Sequence, residues 1–320
     1  MVTSTPLVSV ICLCYNQHRW VEEAIESVLQ QTYPNIEIIL ADDASTDGSR
    51  AVIERIKARH PAIKTLFSAV NRGNCAAFNA AFHESKGDYI VDLAADDIMK
   101  PDRIEKQLAR FDLLDERYGV IFTDAEYIDA EGRFIRGHYA HLRIKGLLDV
   151  VPEGDVYRKM LSRYFIAAPT MLIRRSVLDR LGGYDESLAY EDFDFWVRSS
   201  REFLYAYVDE PLTLIRRTGG SMSAGWYKPG NKQLYSTYLV CRKAMALSRD
   251  DGDRIALVQR VRYEMRQSVL SDNRKEAILF YRLLKELDVL TFADRIFSTI
   301  NHLQLPMSGL RDLYHAIRYR

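Results

Sequence analysis

LVSVICLCYNQHRWVEEAIESVLQQTYPNIEIILADD, residues 7–43, predicts a strand, a helix and a second strand in immediate succession. Residues 7–14 are almost continuously apolar, which is typical of a strand covered on both faces. Residues 20–29 place their apolar side chains on one helical stripe, and residues 36–41 are apolar again. This order predicts a parallel βαβ unit with a right-handed crossover.

The same alternation continues to about residue 125. Further strands are predicted at residues 63–68, 89–93 and 120–123, and later ones at 170–173 and 204–208. Residues 231–320 have helical patterning, and Lys228-Pro229-Gly230 is the best candidate boundary. We therefore expect an α/β fold with a mostly parallel central sheet flanked by helices over residues 1–228, and a C-terminal helical extension over residues 229–320.

Composition limits the classes of function. The net charge is zero, so no overall basic field indicates nucleic-acid binding. Residues 241–320 nevertheless carry 15 Lys/Arg against 10 Asp/Glu, a net charge of +5, which leaves −5 for residues 1–240. The basic tail suits contact with an anionic surface, although a solvated helical face is the simpler interpretation of the tail alone.

The four cysteines are Cys12, Cys14, Cys75 and Cys241, and their spacing fits neither a zinc site nor a bridge between the first two. Free thiols are expected in a reducing compartment. No signal-peptide pattern and no apolar run of about 18 residues is present. We therefore expect a cytoplasmic protein, attached at most peripherally to the inner face of a membrane.

Two acidic pairs each follow a predicted strand, Asp42-Asp43 and Asp96-Asp97. Adjacent carboxylates repel each other, so a cation or hydrogen-bond donors are expected between them. A divalent cation that bridges a diphosphate is the commonest ligand of such a site. Tyr15 and Arg72 also follow strands, and ligands bind outside the carboxyl ends of strands in parallel sheets, so these groups should converge on one crevice.

Five segments, in order and spacing, resemble the family 2 glycosyltransferases. They are VSVICLCYNQHRWVEEAIESVLQQTYPNIEIILADDASTDGS, NRGNCAAFNAAFHESKGDY, IVDLAADDIMKPDRI, YEDFDFWVR and RRTGGSMS, and they cover roughly residues 6–225. The resemblance implies a GT-A-like fold and an inverting enzyme that uses a nucleotide-diphosphate sugar. It implies a nucleotide site in which Tyr15 lines the base pocket and Asp43 accepts the N3–H of uracil or thymine.

Further roles follow from the same resemblance. Asp42 would support the nucleotide loop, Arg72 would lie near the diphosphate, and Asp96 and Asp97 would contact ribose and a Mn²⁺ or Mg²⁺ ion. Asp192 would be the catalytic base, kept ionised by the N-terminus of its helix.

On the acceptor side the resemblance implies a turn formed by Gly183 and Tyr184, with Glu191 beside the base. Trp196 would pack nearby with its face available to a sugar. Two departures from the family pattern stand out, because Ala94 replaces a frequent Asp and Thr218 replaces a frequent His. Arg216 or Arg217 is then the expected source of positive charge.

Each motif also has a purely structural interpretation. Asp42-Asp43 fits a capping cluster, Asp96-Asp97 fits a turn, and Glu191-Asp192 fits the acidic first turn of a helix. Phe195 is expected in the core.

The resemblance implies transfer of a sugar from a UDP- or dTDP-sugar to a hydroxyl of a glycan or lipid-linked acceptor, as in assembly of a cell-envelope polysaccharide. The alternatives are a non-catalytic nucleotide-sugar-binding protein and a sugar nucleotidyltransferase. The second would normally have a glycine-rich loop after the first strand, where residues 14–18 contain no glycine. The helical extension is expected to form a homodimer contact, an acceptor contact or a membrane contact.

Overall fold

The computed structural model describes residues 5–218, 227–230 and 232–308, and it divides the chain into two compact units. Of the described residues, the first unit contains 5–156 and 165–218. The second contains 157–164, 227–230 and 232–308. A short internal segment, residues 157–164, therefore belongs to the same unit as the C-terminal helices.

One mixed β-sheet forms the centre of the first unit. Its strands are β1 (Val8–Cys14), β2 (Ile36–Asp42), β3 (Lys64–Phe67), β4 (Tyr89–Ala94), β5 (Ile98–Met99), β6 (Tyr118–Ile128), β7 (Phe134–Gly137), β8 (Leu172–Arg174) and β9 (Leu204–Arg216). Their spatial order is β3-β2-β1-β4-β8-β6-β9-β5, and β7 pairs with β6. The α/β class is confirmed.

The first half of the sheet is parallel, as the strand–helix alternation predicts. β1 pairs in parallel with β2 and β4, and β2 pairs in parallel with β3. The three-residue strand β8 then lies antiparallel to both β4 and β6, while β6 and β9 are parallel. The sheet is therefore parallel from β3 through β2 and β1 to β4, the strands that the polar residues follow. It is mixed beyond β4.

Helices cover the sheet of the first unit. They are α1 (Val21–Leu29), α2 (Ser49–Arg59), α3 (Asn74–Glu84), α4 (Arg103–Asp112), α5 (His138–Ile144), α7 (Arg175–Leu181) and α8 (Asp192–Ser199). Every residue of β1 is buried, and the apolar stripe of α1, including Val21, Ile25 and Val28, packs into the same core cluster. Removing this apolar surface from water is the main source of the stability of the unit.

The second unit is helical and contains α6 (Tyr157–Ser162), α9 (Lys232–Leu247), α10 (Asp251–Leu270), α11 (Arg274–Glu286) and α12 (Phe292–His302). α10 contacts each of the other four. Arg158 of α6 donates to Asp253 at 2.9 Å, and Arg260 donates to the carbonyl of Leu161 at 3.0 Å. These bonds fix α6 to the longest helix of the unit.

All four cysteines are buried and free, as the sequence predicts. Across the described ranges, every helix is too short or too polar to cross a bilayer.

Candidate functional site

β1, β2 and β4 end together at one edge of the sheet. Cys14 lies in register with Asp42, and Leu13 lies in register with Ala94. The amide of Asp43 donates to the carbonyl of Cys14 at 3.0 Å. The polar residues that follow these strands therefore emerge side by side, and the predicted convergence at the carboxyl ends of the strands is confirmed.

Asp43 holds the loop that follows β3. Its Oδ1 accepts the amide of Arg72 at 3.0 Å, and its Oδ2 accepts the amide of Gly73 at 2.8 Å. Asp42 bonds more locally, because its Oδ2 accepts the amide of Ser45 at 3.1 Å. The other oxygen of Asp42 is buried without a hydrogen-bond partner. Hydrogen bonds from backbone amides to carboxylates thus hold this edge together, and Asp42 Oδ1 remains an acceptor without a donor.

Tyr15 is presented at the same edge by an unusual backbone conformation. Asn16 has a φ of +55°, a left-handed value that Asn tolerates better than most residues. Its amide donates to Ser45 Oγ at 2.8 Å, and its Oδ1 accepts the amide of Thr46 at 2.8 Å. Tyr15 is 48% exposed and so offers a ring at the mouth of the crevice.

Asp47 organises the turn before α2. Its Oδ1 accepts the amide of Ser49 at 3.0 Å, and its Oδ2 lies 2.8 Å from His18 Nδ1. Burial by itself would raise the pKa of Asp47, but hydrogen bonds from Ser49 and His18 outweigh it and hold the pKa well below its usual value. Asp47 therefore stabilises this loop in its ionised form.

Asp96 and Asp97 follow β4 in a different environment. Asp97 is 3% exposed, and its Oδ1 accepts the amide of Arg216 at 2.9 Å. Burial raises the pKa of both carboxyls, and the charge of Asp96 raises the pKa of Asp97 further, although Arg217 opposes both shifts. A cation beside two acids whose pKa values are raised would stabilise their ionised forms.

Arg216 is a structural tether. Its guanidinium donates to the carbonyls of Asp96 and Asp129 at 3.1 Å each, and to the carboxylate of Glu23 at 2.6 Å. Arg217 instead lies over the ring of Tyr127, 4.5 Å from its centroid. Burial raises the pKa of Asp96, but the charges of Arg216 and Arg217 both lower it, so both arginines supply positive charge beside the acidic pair. Thr218 is described, but residues 219–223 of this motif lie outside the described residues.

Asp192 begins α8, as the sequence predicts. Burial raises the pKa of Asp192 well above its usual value, and Glu191 and Asp92 raise it further. Its Oδ1 is buried without a hydrogen-bond partner. Desolvation and two neighbouring carboxyls therefore oppose the effect of the helix N-terminus, which favours the ionised form.

Gly183 and Tyr184 are anchored to α3. Asn79 Nδ2 donates to the carbonyl of Tyr184 at 2.8 Å, and the amide of Tyr184 donates to Asn79 Oδ1 at 2.9 Å. Gly183 has a φ of +77°, and a Cβ there would come within 2.5 Å of Asn79 Oδ1. A side chain at position 183 would therefore displace Asn79 from the loop.

Trp196 supports α8 from the core. It is 3% exposed, and its indole N–H donates to Met171 Sδ at 3.3 Å. Its face is therefore not available to a sugar, because protein atoms already cover it. Phe195 is fully buried, as expected.

Arg72 makes one exposed side-chain contact. Its guanidinium lies 3.2 Å from the carboxylate of Glu186, and both side chains are about half exposed. Its backbone amide, rather than its charge, is what Asp43 binds.

Sequence reasoning missed Asp92. It lies in the middle of β4, where its Oδ2 accepts the hydroxyl of Tyr184 at 3.1 Å. The available signal was a carboxyl inside the apolar strand IVDLA, since ionisable residues are rarely buried without a partner or a function. Asn74 was also missed, and its Nδ2 donates to Glu191 Oε2 at 2.5 Å.

The donor set at the end of β4 fits a divalent cation. In the described part of the chain, no group of three or more His, Cys, Asp or Glu side chains is arranged to hold a metal ion. Mg²⁺, however, commonly takes one or two protein carboxylates and completes its shell with phosphate oxygens and water. Asp96 and Asp97 supply two such carboxylates. A dication would offset the burial that raises both pKa values and the charge of Asp96 that raises the pKa of Asp97 further.

The chain matches the family model described as Glycosyl transferase family 2 over residues 9–182. An uncharacterized glycosyltransferase of Haemophilus influenzae is 42% identical over 225 residues, 70% of this chain and 84% of that protein. A Bacillus subtilis protein whose name places it in teichuronic acid biosynthesis, glycosyltransferase TuaG, is 28% identical over 233 residues, 72% of this chain and 87% of that one.

Solved structures show the same fold at low sequence identity. The mannosyltransferase PcManGT from Pyrobaculum calidifontis, in complex with GDP-Man and Mn²⁺, has a TM-score of 0.63 and 17% identity, covering 98% of this chain and 88% of that one. TarS residues 1–349 of S. aureus, in complex with UDP-GlcNAc, has a TM-score of 0.64 and 16% identity, covering 92% and 89%.

Proposed function

This chain belongs to glycosyl transferase family 2 and has the GT-A fold, and from this premise we propose the reaction that it catalyses. It transfers a sugar, with inversion, from a UDP- or dTDP-sugar to a hydroxyl of a glycan or lipid-linked acceptor of a cell-envelope polysaccharide. The observation that supports the proposal is the adjacent pair Asp96 and Asp97 directly after β4, with Asp97 buried and Asp96 half-buried at the edge where β1 and β2 also end.

The donor nucleotide would bind where β1, β2 and β3 end. Tyr15 offers an exposed ring to the base, and Asp43 keeps free acceptor capacity, because a carboxylate accepts about four hydrogen bonds. The buried, unpartnered oxygen of Asp42 is a second acceptor for a base N–H. The exposed guanidinium of Arg72 suits the diphosphate.

Asp96 and Asp97 would hold the divalent cation, with Arg217 adding charge nearby. When bound, a dication stabilises the negative charge that develops on the leaving diphosphate. The acceptor hydroxyl gives its proton to Asp192 as its oxygen bonds to the anomeric carbon. The bond from that carbon to the diphosphate breaks on the opposite face, so one displacement inverts the configuration.

The acceptor would approach the start of α8. Gly183 and Tyr184 form a rigid turn because Asn79 binds that turn twice. Glu191 lies beside Asp192 and shares a side-chain hydrogen bond with it. The base would become ionised once substrate charges replace the repulsion among these carboxyls.

Nucleotide binding tests the donor site directly. Calorimetry with UDP, dTDP, GDP and CDP, each with and without Mn²⁺ or Mg²⁺, should show metal-dependent binding of UDP or dTDP. Asp97→Ala should weaken that binding about 10- to 100-fold, whereas Asp179→Asn, at an exposed position of α7, should not. Preferential binding of GDP would overturn the pyrimidine assignment. No binding of any nucleotide would overturn the whole proposal.

For the second unit we propose peripheral contact with an anionic lipid surface. Phe292 is 80% exposed and Leu303 is 61% exposed. Phe292 and Ile296 lie on α12, Leu303 caps its C-terminus, and their spacing places all three on one helical face. Arg282 and Lys285 line an apolar pocket and have no ion-pair partner among the described residues. Exposed apolar groups combined with cations are typical of interfacial helices.

Vesicle sedimentation of the full chain tests this contact. Wild type should bind phosphatidylglycerol vesicles more than phosphatidylcholine vesicles, and Phe292→Ser with Leu303→Ser should reduce the bound fraction severalfold. Equal binding by this variant would contradict the proposal. Loss of a wild-type dimer in the same variant, measured by light scattering, would instead assign this face to a second copy of the chain.

A further inference from the structure

Asp92 is a carboxyl built into the centre of the sheet. It lies in register with Ile11 of β1, and its Oδ2 accepts the hydroxyl of Tyr184 at 3.1 Å. Burial raises the pKa of Asp92 well above its usual value, and the charge of Glu191 raises it further. Such a group destabilises a fold unless a cation accompanies it, and no cationic side chain of the described residues pairs with Asp92. A local destabilisation of this kind is typical of functional residues.

Tyr184 is held rigidly on three sides. Its ring stacks on Phe78 with centroids 4.1 Å apart, and its backbone is bound at both polar atoms by Asn79. Its hydroxyl then reaches Asp92. The turn that precedes α8 is therefore connected to β4 through one side chain with little freedom to move.

We infer that Asp92 and Tyr184 are a positioning pair for the reaction: Tyr184 fixes the turn that carries Glu191 and Asp192, and Asp92 shares negative charge with both. The inference rests on the proposed role of Asp192 as the base, and it assigns to Asp92 a role that acts through that base.

The groups that face Asp92 come from four parts of the unit. Glu191 and Asp192 come from the start of α8, Tyr184 from the preceding turn, Cys75 from α3 and Cys12 from β1. Both thiols are buried, and their pKa values are raised by burial and further by neighbouring acids that include Asp92. Burial raises the pKa values of Asp92 and Asp192, and the neighbouring carboxyls raise both further.

The first test needs no substrate. A carboxyl whose pKa is raised by folding destabilises the native state as the pH rises from its unfolded value of about 4 through its folded value. Asp92→Asn keeps an acceptor for Tyr184 but removes the charge. Its urea midpoint should therefore rise relative to wild type between pH 4 and pH 7, by roughly 0.5 M.

The matched control is Asp88→Asn. Asp88 precedes β4, and its carboxylate accepts the amide of Leu7 at 2.9 Å. It is not one of the groups that face Asp92. The difference in urea midpoint between Asp88→Asn and wild type should not rise between pH 4 and pH 7 as that of Asp92→Asn does. A flat difference for Asp92→Asn between pH 4 and pH 7 would overturn the shared-charge part of the inference.

The second test separates positioning from binding. With UDP-GlcNAc as donor and water as acceptor, Tyr184→Phe should lower kcat about tenfold and leave KM within about twofold, because only alignment is lost. Asp92→Asn should move the acidic limb of the pH profile of kcat to lower pH by about one unit. Unchanged kcat in Tyr184→Phe, or a change confined to KM, would overturn the positioning role.

The two tests also separate this inference from the proposed function. If wild type releases no UDP from UDP-GlcNAc, the choice of donor is wrong, and the urea titration alone decides whether Asp92 shares charge with Glu191 and Asp192. If wild type turns over and Asp192→Asn turns over equally, the base assignment fails while the titration result still stands.

Discussion

At the end of β2, Asp43 accepts two backbone amides and Asp47 accepts bonds from its own turn, whereas at the end of β4 the buried Asp97 adjoins the half-buried Asp96. The first region uses its carboxylates to hold loops together. The second keeps two carboxyls close, with few donors to stabilise their charge. The same acidic pattern in a sequence can therefore build a loop or prepare a cation site, depending on which donors the fold brings to it.

The direction of each pKa shift predicts how the free energy of unfolding changes with pH in the two regions. The pKa of Asp47 is lowered, so its ionised form contributes stability above the unfolded pKa that is lost as the pH falls through the folded value. The pKa values of Asp96 and Asp97 are raised, so these groups contribute stability at low pH that is lost as the pH rises. The carboxyls that follow β2 and those that follow β4 should thus change the stability with pH in opposite directions.

The largest expected effect extends the comparison to the third acidic pair, Glu191-Asp192. Asp192→Asn should lower turnover about 1,000-fold, because it removes the acceptor of the hydroxyl proton, while nucleotide binding stays within about twofold. Steady-state kinetics and calorimetry measure the two quantities, with Asp179→Asn as the control. Retained turnover in Asp192→Asn would contradict the assignment of Asp192 as the base. Nucleotide binding without any turnover by wild type would favour the non-catalytic binding protein.

Stability at neutral pH should separate the regions next. Asp43→Ala leaves the amides of Arg72 and Gly73 without their acceptor and should lower the free energy of unfolding by about 3 kcal/mol. Asp97→Ala also loses one amide bond, but it relieves burial and repulsion, so the change should stay within about 1 kcal/mol. Urea unfolding at pH 7 measures both. Equal losses of unfolding free energy in the two variants would contradict the proposed difference between the two acidic pairs.

The pH dependence should then show opposite slopes. Asp47→Asn should be less stable than wild type by about 1 kcal/mol at pH 7, and this difference should shrink below about pH 4. Asp96→Asn should be the more stable protein at pH 7 by a similar amount, and its advantage should also shrink in acid. Urea titrations between pH 3.5 and 7.5 measure both differences. Slopes of the same sign would contradict the comparison.

The smallest effect concerns Arg72. Its guanidinium makes an exposed ion pair with Glu186, so Arg72→Ala should change the free energy of unfolding by less than about 0.5 kcal/mol. Arg72→Pro also removes the amide that Asp43 binds and should approach the loss of Asp43→Ala. Thermal unfolding of both variants measures the contrast. Similar losses in the two would show that the charge, not the amide, holds the loop.

Much of the first unit follows from its sequence because hydrophobic periodicity is a local property. The apolar runs at residues 7–14 and 36–41 became β1 and β2 within one residue at each end. β5 and β7 were missed because two and four residues carry too little pattern. The antiparallel insertion of β8 between β4 and β6 is a long-range choice that no local pattern encodes.

The candidate site was predictable in its position but not in its charge states. Residue types placed Asp96, Asp97 and Asp192 after strands or at a helix start, and the structure has them there. Their raised pKa values depend on burial and on neighbours such as Glu191 and Asp92, which only the folded chain brings together. The same applies to Trp196, whose type suits a sugar platform and whose burial excludes it.

α6 gives the second unit a discontinuous chain, and this has a consequence for synthesis. Arg158 and Leu161 are translated 92 to 99 residues before their partners Asp250, Asp253 and Arg260. At a translation rate of 5–20 residues per second, about 5–20 s pass between the synthesis of α6 and the synthesis of its partners in α10. Its buried side chains Tyr157, Met160 and Leu161 are uncovered during that interval. A nascent chain of this protein should therefore present a chaperone-binding segment between two stretches of its first unit, and it should lose that segment only when translation has passed α10.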